Sequence, residues 1–158
     1  AGELHDVLMN CGADLITETL KDIENGTILR SHQKKEKESE LKPAPKIFKS
    51  DCKICWSDSI KVVYNKIRGL SPYPGAWCTL QNTAKNKTIS CKLFVSKKTN
   101  ISVPRHPTKK LYKSEDGILF PCSDFYLLVT EFQLEGKRRM SYTDFIAGNS
   151  IEHFELMD

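Results

Sequence analysis

Cys52 and Cys55 are the residues whose spacing most resembles a chemical site, because Cys-x-x-Cys occurs in zinc sites and in redox pairs. The sequence has no second Cys/His pair at metal-ligand spacing, and no helix clearly begins at Cys52 as in thioredoxin-like motifs. Cys78 and Cys91 alternate with apolar residues, where a reduced cysteine acts as a small hydrophobe. The sequence therefore predicts reduced, structural thiols in a cytoplasmic protein, without a bound metal or a redox role.

No other group of residues forms a convincing catalytic site. The sequence offers no pair of carboxylates, no Cys/His dyad and no phosphate-binding glycine loop. Glu115 and Asp116 precede Gly117 in a predicted turn, where a structural role is the default. The sequence therefore predicts a binding protein without catalytic residues of its own.

The distribution of charge indicates what is bound. The 158 residues carry a net charge of +4, yet residues 59–114 contain twelve Lys or Arg and no Asp or Glu. This basic segment is therefore +12, and the rest of the chain is −8. Solubility does not require such segregation, whereas a field of one sign suits a polyanion such as nucleic acid.

Most candidate binding residues belong to the basic segment, and a basic turn at 137–139 adds three more. Contacts of this kind read the backbone and shape of a nucleic acid and do not identify a base. Aromatic side chains are able to stack on bases, but we expect Trp56, Tyr73 and Trp77 to pack the corner between a helix and a strand. The candidates are Arg68, Lys85, Lys87, Lys92, Lys97, Lys98, Arg105, Lys109, Lys110, Lys113, Lys137, Arg138 and Arg139.

Helical periodicity predicts two long helices. Residues 3–24 have one broad apolar face, and Asn25-Gly26 supplies the stop. A second helix is predicted from Ser57, as N-cap, to Gly69, as the left-handed residue that ends it. The capping-box pattern beginning at Ser141 predicts a third, short helix.

After Gly75 the apolar period changes to two. Five strands are predicted, at residues 76–80, 87–96, 109–113, 117–122 and 125–134. Short strands separated by turns and flanked by helices favour a mainly β fold with a small closed barrel. No apolar run is long enough to cross a membrane.

Several stretches, in one order, resemble a known family. Ile67-Arg68-Gly69-Leu70, followed by Pro72-x-Pro74-Gly75-Ala76, is similar to the corner that opens the C-terminal domain of methionyl-tRNA formyltransferases. Residues 4–20 resemble the last helix of that family's catalytic domain, 45–57 the join into the C-terminal domain, and 133–145 its closing strand and helix. The family's His-x-Ser-x-Leu-Pro catalytic motif does not occur here.

The resemblance implies three parts: residues 1–26 as the last helix of a truncated catalytic domain, 27–47 as a linker, and 48–158 as an OB-like tRNA-binding barrel. In this family the linker runs beside the tRNA, which adds Lys42 and Lys46 to the candidates. The whole enzyme would transfer a formyl group from 10-formyltetrahydrofolate to the amine of methionyl initiator tRNA. The present chain is expected to be inactive alone, to contact its own catalytic domain and to be a monomer.

Two alternatives remain open. Related formyltransferases and hydrolases that act on folate or sugar nucleotides share this C-terminal architecture, and the acid-free basic segment argues against them. The other alternative is a free-standing OB module that binds nucleic acid. The apolar face of the first helix argues against that module, because an independent domain should not carry half of an interface.

Overall fold

The computed structural model describes residues 1–32, 41–104 and 109–157. These form two compact units, one made by Gly2–Ile47 and the other beginning at Phe48. Among the described helices, none combines the length and the apolar character needed to cross a membrane.

The first unit contains one long helix, α1 (Gly2–Glu24), as the apolar periodicity predicted. Gly26 has a left-handed φ of 69°, and the Thr27 N–H donates to the Asp22 carbonyl at 2.9 Å. These two features form a helix-ending motif that confirms the predicted stop. Within this unit the apolar face of α1 is uncovered, and more than half of each of its large side chains is exposed: Leu4, Val7, Leu8, Leu15, Leu20 and Ile23.

The second unit is built on one antiparallel sheet. In the described residues, the strands of this sheet are β1 (Ala76–Asn82), β2 (Lys87–Ser102), β3 (Tyr112–Lys113), β4 (Ile118–Pro121), β5 (Phe125–Leu134), β6 (Met140–Ser141) and β7 (Phe154–Met157). The short strands β6 and β7 were not predicted. The order of neighbouring strands in the sheet is β3-β4-β5-β2-β1-β7, and the short strand β6 pairs with β5 outside this order.

The two ends of the sheet meet. Lys110 forms an antiparallel bridge with Glu155 of β7, and the Leu156 N–H donates to the Lys109 carbonyl at 2.7 Å. The sheet therefore curls into a small OB-like barrel, which confirms the predicted fold class.

A bulge explains why two neighbouring residues of β2 are both buried. Its register with β5 shifts between Leu93 and Val95, so Leu93 and Phe94 are both buried although they are neighbours. An extra residue at such a point bends the strand, which assists closure of the barrel.

Helix α2 (Ile60–Leu70) packs on the barrel through Ile60, Val63 and Ile67. Two details of its prediction are wrong. The helix begins three residues after Ser57, and the Asp124 carboxylate accepts the Ile60 N–H at 2.8 Å in place of a local cap. Its other end lies beyond Gly69, at Leu70, and Gly69 does not have a positive φ.

The chain turns from α2 into β1 through Ser71–Gly75. The Ser71–Pro72 and Tyr73–Pro74 bonds are both cis, and the Gly75 N–H donates to the Leu70 carbonyl at 2.9 Å. Gly75 has a φ of 87°, a conformation that favours glycine. The corner is therefore closed by a hydrogen bond and restricted by two proline rings.

The barrel interior is filled by side chains. Trp56 stacks on Phe120 with ring centroids 5.2 Å apart, and Phe145 packs edge-on against Phe132 and Phe154. Phe145 belongs to the short helix α3 (Tyr142–Ile146), whose start has the predicted capping box of Ser141 and Asp144. A filled barrel cannot hold a ligand inside, so binding must use its outer surface.

Candidate nucleic-acid interface

Trp77 is the centre of one group of basic residues on the outside of the barrel. Its ring is half-buried on β1, and the indole N–H donates to the Lys49 carbonyl at 2.9 Å. The ammonium groups of Lys49 and Lys53 lie 5.7 and 5.9 Å from the ring centroid. Lys92 is the cross-strand partner of Trp77, and its ammonium donates to the Pro74 carbonyl at 3.0 Å.

A second group surrounds Tyr64 of α2. The Arg68 guanidinium and the Lys98 ammonium lie 6.0 and 5.5 Å from the centroid of the Tyr64 ring. Arg68 also donates to the Asn65 side chain at 3.3 Å. Lys97, the neighbour of Lys98 on β2, is exposed. The structure thus brings together two predicted candidates, Arg68 and Lys98, whereas Lys97 points to the opposite face of β2 because successive side chains of a strand alternate.

A third group lies at the end of the barrel where β1 turns into β2. Lys85 and Lys87 are in or beside that turn, and Lys137 and Arg138 follow the end of β5. The Glu135 N–H donates to the Ser90 carbonyl, which places the end of β5 alongside the start of β2. All four cations are exposed at one end of the barrel.

The remaining candidates are dispersed. Lys109 and Lys110 lie where β7 closes the barrel, and Lys113 is on β3. Lys42 and Lys46 belong to the other unit, and Arg105 lies outside the described residues. The candidate cations of the basic segment that the structure describes are therefore spread around the barrel and do not form one patch.

Arg139 has a structural partner on each side. Its guanidinium forms an ion pair with Glu131 at 2.7 Å and lies 4.5 Å from the centroid of the Phe94 ring. An arginine held in this way is less available to a phosphate than an exposed lysine, because binding would have to break existing interactions.

The buried thiols have the properties of packing residues, whereas those of Cys11 and Cys55 are exposed. A hydrogen bond to Cys91 and burial raise the pKa of the Cys78 thiol well above its ordinary value. Burial raises the pKa of Cys122 to about 12. All six cysteines are free, and no three His, Cys, Asp or Glu among the described residues are grouped so that they could hold a metal ion. Thiols with raised pKa values are poor nucleophiles.

Sequence reasoning missed Lys49 and Lys53, because they precede the acid-free segment and Asp51 lies between them. It also misplaced Tyr73, which does not pack the corner: 85% of this residue is exposed. The two prolines that flank Tyr73 could have indicated that it lies in a turn, because they restrict the backbone of the residue between them.

Comparison with known proteins identifies the family. Residues 46–150 match the model described as formyl transferase, C-terminal domain. The chain belongs to this family. It is 37% identical to a methionyl-tRNA formyltransferase of Flavobacterium johnsoniae, covering 94% of this chain and 45% of that protein. It is 39% identical to one of Phocaeicola vulgatus, covering 92% of this chain and 45% of the relative.

The chain thus spans a little under half the length of the curated formyltransferases it matches. Among solved structures, a variant of HypX from Aquifex aeolicus superposes with a TM-score of 0.59. That match covers 86% of this chain and 23% of HypX at 16% identity. This likeness supports the fold and does not bear on the substrate.

Proposed function

We propose that this chain is the C-terminal, tRNA-binding part of a methionyl-tRNA formyltransferase. The observation that carries the proposal is the segregation of charge on a barrel of the formyltransferase family, with twelve basic and no acidic residues between positions 59 and 114. An outer surface of this kind binds phosphates without reading sequence. Residues 48–158 would be the binding barrel, and 27–47 a linker whose Lys42 and Lys46 add contacts.

The chemistry belongs to a part of the enzyme that this chain does not contain. We propose that the whole enzyme transfers the formyl group of 10-formyltetrahydrofolate to the amine of methionyl initiator tRNA in the cytoplasm. The barrel contributes by binding the tRNA away from the reacting amine, and this binding energy positions the methionyl end for the reaction. The chain alone is expected to be monomeric and inactive.

The apolar face of α1 has a place in this proposal. Residues 1–26 would complete the catalytic domain, and Leu4, Leu8 and Leu15 would be covered by it. An exposed apolar face of this size is unusual in a soluble monomer and typical of an interface.

Fluorescence-anisotropy titration with methionylated initiator tRNA at several salt concentrations tests the proposal. Micromolar affinity that falls steeply with salt is expected, because bound lysines displace counterions from phosphates. No binding at low salt would refute a tRNA-binding role and favour a structural barrel or a relative with another substrate.

Paired charge reversals locate the binding surface. Two double variants are compared: Lys97→Glu with Lys98→Glu, and Lys109→Glu with Lys110→Glu. Each double variant lowers the formal net charge by 4, from +4 to zero. Reversal of a pair that binds tRNA should weaken binding and reduce the salt slope by roughly 0.7–0.9 for each phosphate that is no longer neutralised. Lys21→Glu with Lys61→Glu is the charge-matched control. An equal effect of all three pairs would contradict a localised binding surface and indicate a response to net charge alone.

A further inference from the structure

Tyr73 is held at the surface in a way that packing does not explain. It is 85% exposed, although it sits in the corner where α2 turns into the barrel. Pro72 and Pro74 restrict the backbone on both sides, and the hydrogen bond from Gly75 to Leu70 closes the loop. An aromatic ring on so restricted a backbone loses little conformational entropy when it binds a partner.

Basic side chains lie at the same corner of the barrel as Tyr73. The Lys92 ammonium donates to the carbonyl of Pro74, the residue after Tyr73, and Lys92 is also opposite Trp77 in the sheet. Trp77 in turn holds the ammonium groups of Lys49 and Lys53 within 6 Å of its ring centroid, at 5.7 and 5.9 Å. We refer to these five residues as the tyrosine–lysine strip.

Carboxylates near the strip do not neutralise it. Strands β1 and β2 contain no Asp or Glu. Asp51 lies between Lys49 and Lys53 in sequence, and its carboxylate accepts the Phe48 N–H at 2.8 Å. The strip therefore combines one exposed ring with three cations, those of Lys49, Lys53 and Lys92.

This combination distinguishes between possible partners. Lysine is depleted in protein–protein interfaces, whereas proteins that bind single-stranded nucleic acid combine a basic groove with aromatic rings on which bases stack. Within an RNA duplex, base faces are covered by their neighbours, so a ring can stack only on an unpaired or terminal base.

We infer that the tyrosine–lysine strip binds an unpaired stretch of the substrate RNA. A base stacks on Tyr73, and the adjoining phosphates lie along Lys92, Lys53 and Lys49. Trp77 orients two of these lysines through its ring and its bond to the Lys49 carbonyl. This inference rests on the proposed tRNA-binding function and specifies which structural element of the RNA this face recognises.

The test uses the full 158-residue chain with three RNA probes: initiator tRNA, an unpaired hexamer containing 2-aminopurine, and a long, fully paired duplex without loops. Tyr73→Ala should weaken binding of the hexamer about tenfold or more and abolish quenching of 2-aminopurine, because stacking is lost. Its salt slope should not change, since no ion pair is removed. Tyr73→Phe keeps the ring and should restore both readouts, while the unchanged protein, Tyr73→Ala and Tyr73→Phe should bind the duplex equally, because its base faces are covered.

The lysines give the complementary result. Lys49→Gln with Lys53→Gln should reduce the salt slope by about 1.4, which corresponds to two neutralised phosphates on a single strand. Lys61→Gln, on an exposed lysine of α2 outside the strip, should leave the slope unchanged.

Two results would overturn the inference separately from the proposed function. If tRNA binds with a steep salt slope but Tyr73→Ala changes neither hexamer affinity nor quenching, the strip is not a site for unpaired RNA and tRNA binding stands. If Tyr73→Ala weakens binding of the duplex and of the hexamer equally, the face recognises duplex backbone. Failure of all three RNAs to bind at low salt would overturn both the inference and the proposed function.

Discussion

The Asp124 carboxylate should stabilise the barrel through a hydrogen bond that the sequence does not suggest. It lies in the turn between β4 and β5, yet it accepts the first N–H of α2, from Ile60, at 2.8 Å. It also accepts the Phe125 N–H at 2.8 Å. Ser59, at the N-cap position of α2, makes no side-chain capping bond. The Asp124 carboxylate therefore caps a helix whose first residue lies 64 residues earlier in the chain.

Asp124→Ala should cost about 2 kcal/mol of unfolding free energy. Loss of a helix cap typically costs about 1 kcal/mol. The second backbone N–H, which is only partly buried, adds about 1 kcal/mol when it loses its acceptor. For a barrel of this size, about 2 kcal/mol corresponds to a fall of roughly 8 °C in Tm.

Urea denaturation followed by tryptophan fluorescence measures this loss, because Trp56 is buried against Phe120 in the same core. Asp124→Asn is the matched control: it keeps the accepting oxygen and loses only the charge, so it should cost about 0.5–1 kcal/mol. A loss below about 0.5 kcal/mol for Asp124→Ala, or equal losses for both variants, would refute the capping role.

Two further predictions concern stability. Gly117→Ala would put a Cβ 2.5 Å from the Val129 carbonyl oxygen of the neighbouring strand, so we expect a loss of about 2–3 kcal/mol in urea denaturation. Gly148→Ala, with nothing within 4 Å of its Cβ, should cost less than about 0.5 kcal/mol, and similar losses at both sites would contradict the steric argument. Hydrogen bonds from Ser141 lower the pKa of Asp144, so the capping box should stabilise the fold above the ordinary carboxyl pKa and lose this contribution as pH falls through the lowered value. Asp144→Asn should therefore lower the urea midpoint at pH 7 more than at pH 3, and an equal shift at both pH values would contradict this assignment.

The helices and strands were predictable where a segment has one clear hydrophobic periodicity. The apolar face of residues 3–24 and the alternation that leads up to Leu93 depend on local pattern, and both are present in the structure. The capping box at Ser141 is a four-residue motif and was equally readable. Local patterns were therefore enough to predict the barrel class and most of its strands.

Interactions between distant parts of the chain were not predictable in the same way. Ser57 looked like the cap of α2 because local signals cannot show that Asp124 takes this role. The basic segment predicted a field of one sign, yet the fold places Lys97 on β2 and Lys110 at the bridge to β7, and these two strands are not neighbours. Charge along a sequence indicates the kind of partner, whereas strand order decides which charges can act together.

Closure of the barrel by β7 also has a consequence for synthesis on the ribosome. The edge of β1 from Thr79 to Asn82 is covered only when Phe154–Met157 pairs with it. That partner is translated about 75 residues later, which at 5–20 residues per second takes roughly 4–15 seconds. During this interval the nascent chain exposes an unpaired strand edge, the kind of edge to which other chains add. Chaperone binding to the newly made chain should therefore persist until β7 pairs with β1.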